Sequence, residues 1–84
     1  MSANKAYYIL FHIEEGGATL NKAYSGKTYT ANDKECLKKY AKFCEEGETP
    51  HFYKTERSAE LAEIRLCNSC ENVGTRYKIE EADI

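Results

Sequence analysis

Asn32-Asp33-Lys34-Glu35-Cys36-Leu37-Lys38-Lys39-Tyr40-Ala41-Lys42-Phe43-Cys44-Glu45-Glu46 is the stretch whose reading decides the fold. Taken at a period of 3.6 residues it is an amphipathic helix. Leu37, Tyr40, Ala41 and Cys44 fall at i, i+3, i+4 and i+7. Lys34, Lys38 and Lys42 repeat every four residues beside Lys39, forming a solvated flank. Asn32 is a suitable N-cap, and Glu35 three residues later completes a capping box. Gly47 stops the helix and Pro50 prevents its resumption.

On the N-terminal side, Tyr7, Ile9, Phe11 and Ile13 alternate with Tyr8, Leu10, His12 and Glu14, which is the period of a strand. Glu15-Gly16-Gly17 supplies the turn, since glycine accepts positive φ without penalty. Ala18 to Ser25 reads as a second strand, punctuated by Gly26. Thr28-Tyr29-Thr30 either continues it past a bulge or forms a short third strand. On the C-terminal side, His51 to Thr55 reads as a strand. Thr55 or Ser58 caps a second helix running to about Asn72, with Ala59, Ala62, Leu66, Cys70 and Val73 on its apolar face. Thr75 to Glu81 gives the last strand. A faint internal echo, helix then cysteine then glycine then Tyr-Lys strand, links Cys44 to Tyr53 and Cys70 to Tyr77.

The expected fold is therefore α+β: a two-layer sandwich with a mixed four-stranded sheet, an N-terminal hairpin followed by α-β-α-β, and two helices on one face. A chain of 84 residues is one small domain over residues 1–84. Such a domain buries only about 60% of its unfolded surface.

Four cysteines constrain the chemistry. If Asn32 to Glu46 is helical, Cys36 and Cys44 are about 12 Å apart along its axis, too far for one zinc ion or one disulfide. Cys67-Asn68-Ser69-Cys70 is a CxxC near the wrong end of a helix for thiolate stabilisation, with Glu63 and Glu71 nearby in sequence. A mixed zinc site from Cys44, His51, Cys67 and Cys70 matches no standard ligand spacing and stands only as an alternative. Buried, unliganded thiols are expected instead, without a cofactor.

The formal net charge is −2 and both signs are interspersed. No stretch approaches 18 consecutive apolar residues, so no membrane helix is expected. Ala6 to Ile13 is a better strand than signal peptide, and the expected compartment is the cytoplasm. Gly26-Lys27-Thr28 lacks the upstream glycine and following helix of a phosphate-binding loop. Neither His12 nor His51 sits in a nucleophile signature, and adjacent acids such as Glu80-Glu81 point apart, so no enzymatic activity is expected.

A binding module remains. With both helices on one side of the sheet, the other face exposes Tyr8, Leu10, His12 and Lys78, a surface for another protein or for a second copy forming a homodimer. The alternative is nucleic-acid binding through Lys34, Lys38, Lys39 and Lys42 together with sheet tyrosines.

Overall fold

A computed structural model describes residues 5–34 and 36–83. Four strands and one helix follow in chain order: β1 (Lys5–Glu15), β2 (Ala18–Asp33), β3 (Cys36–Phe43), α1 (Glu56–Ser69) and β4 (Tyr77–Asp83). The sheet runs β3-β2-β1-β4, and every pairing is antiparallel. The expected mixed sheet under two helices is thus replaced by a curled antiparallel sheet covered by α1 alone among the described residues.

The decisive stretch is not helical. Its first residues finish β2, Lys34 turns the chain at φ 61°, and Cys36 to Phe43 form β3. Asn32, expected to cap a helix, pairs with Leu37; Glu35 lies outside the described residues. Leu37 and Ala41 explain why both patterns fit, because a spacing of four is one helical turn and also an even number of strand positions. The tie is broken elsewhere. Leu37, Lys39, Ala41 and Phe43 alternate with Lys38, Tyr40 and Lys42, and Ala41 is buried while Phe43 packs on Phe11 at 5.4 Å. Local helix propensity is worth only tenths of a kcal/mol per residue. An eight-position ladder between β2 and β3 outweighs it.

β1 forms as its alternation dictates. Ile9 (0% exposed) and Phe11 lie in the core, with Tyr7 and Ile13 half-buried beside them. Gly16 (φ 60°) and Gly17 (φ 83°) make the two-residue turn that sets Glu15 opposite Ala18. Two consecutive positive φ values match the right-handed twist of the flanking strands.

β2 is a single strand of 16 residues serving two neighbours. Ala18 to Ala23 pair with β1, and Tyr24 to Asp33 pair with β3. The register shifts between Tyr24 and Lys27, so Thr28-Tyr29-Thr30 continues β2 past a bulge. Gly26 sits in that bulge at φ 87°, and a Cβ there would lie 2.7 Å from Nδ1 of His51. As β2 leaves β1, the chain around His51 to Tyr53 takes its place. His51 N donates to Tyr24 O, and Tyr53 exchanges two backbone bonds of 2.9 and 2.7 Å with Tyr7. The strand expected at His51 to Thr55 is reduced to this single bridge.

Thr55 is the N-cap of α1, its Oγ1 accepting from Ser58 N at 3.1 Å. Ala59, Glu63, Leu66 and Cys70 face the core against β1 and β4. The helix ends at Ser69 rather than near Asn72 because the next residues serve the sheet: Glu71 N donates to Lys39 O, and the Asn72 side chain bonds the backbone of Ala41. With no first helix, the echo between the two halves of the chain does not exist. The distal halves of β2 and β3 extend as a two-stranded ribbon beyond the helix-covered body. Sixteen strand residues reach about 53 Å at roughly 3.3 Å each, comparable with the 55 Å long dimension of the molecule.

Candidate functional site

Two surfaces emerge. The first is the sheet face opposite α1. Tyr8, Leu10 and His12 lie at alternate positions of β1, and Leu10 pairs with Ala23 on one side and Lys78 on the other. The four residues read from the sequence as one protein-binding face are therefore placed together. All three β1 side chains are half-buried and Lys78 is exposed. Phe52 meets the Tyr8 ring edge-on at 6.0 Å, and His12 Nδ1 lies 2.6 Å from Asn21 Oδ1. Lys78 pairs with Glu80 at 3.2 Å and Arg76 with Glu14 at 2.7 Å, giving the apolar centre a charged rim.

The second surface is the ribbon, where sequence reasoning placed a helix. Lys34, Lys38, Lys39 and Lys42 do not line one helical flank. Lys38 and Lys42 share a ribbon face, Lys39 takes the opposite face and Lys34 the turn. On the first of these faces Lys27 stands across from Lys42, Tyr29 from Tyr40 and Ala31 from Lys38. The Tyr29 and Tyr40 rings stack, 5.4 Å apart and 22° from parallel. Tyr29 is 50% exposed, and Leu37 near the turn is 72% exposed. Lys27 and Tyr29 escaped the sequence reading, although the alternation from Leu37 to Phe43 held the signal that pairs them with Lys42 and Tyr40. A groove of about 720 Å³ at the foot of the ribbon is lined by Lys22, Tyr29, Lys42, Phe43, Glu45 and Asn72 among others.

The thiols are dispersed. Cys36 is exposed at the ribbon turn, contrary to the expectation of buried thiols, whereas Cys70 is buried beneath the sheet. Cys44 follows β3, its Sγ 3.5 Å from Thr49 O, and burial followed by the Glu48 charge pushes its pKa up. Cys36 and Cys44 bracket a strand of roughly 26 Å at 3.3 Å per residue, so strand rather than helix geometry separates them. His51 packs edge-on against Tyr53 at 4.7 Å. Among the described residues no three His, Cys, Asp or Glu side chains gather as a metal site, and Cys44, His51, Cys67 and Cys70 are not brought together.

Beneath the sheet lies a set of perturbed groups. Burial, then the neighbouring Tyr24, pushes Tyr53 up to about 12. Tyr24 is raised by burial and then by Cys70. Glu63 is only 2% exposed, its Oε1 has no hydrogen-bond partner among the described residues, and burial raises its pKa. Tyr77 is raised by burial, then by Glu63 and Glu60.

Comparison with protein-family models, with curated proteins and with solved structures finds no match for this chain. Among the described residues no helix is long and apolar enough to cross a membrane.

Proposed function

We propose that the chain is a small, non-enzymatic protein-binding module acting through the sheet face around Leu10. One observation carries this reading: α1 packs on β1 and β4 from one side only, so among the described residues no helix covers the face bearing Tyr8, Leu10, His12 and Lys78. An apolar strip with a charged rim is the usual anatomy of a protein interface. Tyrosine supplies large contact area with few rotatable bonds. The partner is another protein or a second copy of the chain, and the four free thiols accord with a reducing, cytoplasmic setting.

Photo-crosslinking tests the proposal. A benzophenone side chain at position 10 is expected to give one discrete protein adduct, to itself in purified protein or to a partner in extract. The same probe at exposed Arg57 on α1 is expected to give none. No discrete adduct from position 10, or equal adducts from both positions, overturns the reading.

A further inference from the structure

We propose that the β2–β3 ribbon binds single-stranded nucleic acid, with a base stacked on Tyr29 and neighbouring phosphates held by Lys27 and Lys42. These residues are separate from the Leu10 face, so this surface and that one stand or fall independently.

Charge segregation is the first support. The segment from Lys27 to Phe43 contains five lysines, Lys27, Lys34, Lys38, Lys39 and Lys42, against Asp33 and Glu35. The whole chain has net charge −2, so the remainder carries the acid excess. A basic arm on an acidic body orients the molecule toward a polyanion and keeps that polyanion off the body. Lys38 has a partner of its own. Lys27 and Lys42 make no ion pair among the described residues and are exposed.

Register is the second support. The Lys34 turn and the Gly26 bulge fix which side chains share a face, and they set the Tyr29–Tyr40 stack directly beside the Lys27–Lys42 pair. Same-face neighbours on a strand are about 7 Å apart, two residues at roughly 3.4 Å. One nucleotide can therefore reach both a ring and an ammonium. Tyr40 supports one side of the Tyr29 ring while half of Tyr29 stays exposed, so the platform is held in place before a base arrives.

The same features select the strandedness. Base stacking on aromatic rings combined with backbone-tracking cations is how single strands are held without sequence preference. A duplex hides its base faces, and the Lys27–Lys42 ribbon face presents no Asn, Gln or Arg to read base edges. Glu45 and Glu46 line the groove at the foot of the ribbon and repel phosphates there. The bound strand accordingly runs outward, toward Lys34 at the turn.

Fluorescence anisotropy of the intact chain with a labelled short oligothymidylate tests this. Binding at low salt is expected, with a slope of log K against log salt of about −1.4, from two phosphate contacts at roughly 0.7 each. Tyr29→Ala should weaken binding about fivefold or more, as expected from the loss of one base–aromatic stack, and Tyr29→Phe should preserve it. Lys27→Ala combined with Lys42→Ala should flatten the salt dependence. Leu61→Ser on the far side of α1 should change nothing, and circular dichroism checks that each variant is folded. Absence of binding at low salt overturns the proposal. So does wild-type affinity in Tyr29→Ala, or an acidic peptide of equal charge binding as tightly as the oligonucleotide.

Discussion

Asn72 acts as one residue of a missing strand for Ala41: its Oδ1 accepts from Ala41 N at 2.8 Å and its Nδ2 donates to Ala41 O at 2.9 Å. Ala41 lies on β3, an outer strand of the sheet, and it is nearly fully buried. A backbone edge left open is both costly and prone to pairing with other chains. Asn72→Ala is expected to lower stability by about 1–3 kcal/mol, because buried backbone groups lose their partners. Asn72→Asp, which keeps an acceptor and loses the donor, should cost nearly as much. Urea titration of the three proteins checks this, and unchanged midpoints for both variants would show that water replaces the amide without loss.

Gly26 and His51 form a second coupled pair. The glycine has φ 87°, and any Cβ would meet the His51 ring and its Cβ at 2.7 to 2.9 Å. Gly26→Ala should destabilise by about 1–3 kcal/mol through left-handed strain together with the clash. In a His51→Ala background the same change should cost less, since the ring contacts are gone and only the contact with the residue-51 Cβ and the backbone strain remain. A double-mutant cycle measures the difference, and strict additivity would mean that the two positions do not sense each other.

Glu63 gives the fold a pH dependence of definite sign. Burial raises its folded pKa above the ordinary 4.5, so the folded state holds its proton longer than the unfolded state does. Stability therefore falls as pH rises from about 4.5 through the folded value, and the penalty is fully present above that value. Tyr77 faces the same carboxyl. Glu63→Gln should flatten stability between acid and neutral pH. Glu63→Met, of similar size without the unpaired oxygen, should add about 1–3 kcal/mol at neutral pH. Denaturation midpoints across that range decide the matter; a wild-type midpoint that rises with pH as the variants' stay level contradicts the sign.

Thr55 begins α1 through its bond to Ser58 N. Thr55→Ala should cost about 1 kcal/mol, and Thr55→Ser much less, because the serine hydroxyl keeps the cap. Thermal unfolding monitored at a helical wavelength distinguishes the two.

Much of the fold is legible in the sequence where two signals agree. β1 has alternation bounded by Gly16-Gly17, and α1 has an N-cap followed by an apolar stripe; both form close to where those signals put them. The segment from Asn32 to Glu46 offered good helix formers and a capping residue, and tertiary pairing overrode them. Nothing local reveals that Thr28-Tyr29-Thr30 needs a strand partner drawn from the segment after Lys34; that demand appears only once β2 is known to run on past Gly26. The Leu10 face was readable because it needed only the parity of β1 and the last strand. The Tyr29–Tyr40 platform was not, because it depends on a turn at Lys34 that the helical pattern conceals.

The place of β4 beside β1 has a kinetic consequence. Lys5 pairs with Asp83, residues separated by nearly the whole chain, and Ile9 with Ile79. The centre of the molecule thus waits for its most distant piece, and early collapse leaves one flank of β1 bare. Folding should be slow for so short a polypeptide. A nascent chain released before Tyr77 would present that bare flank to any neighbour able to dock a strand there.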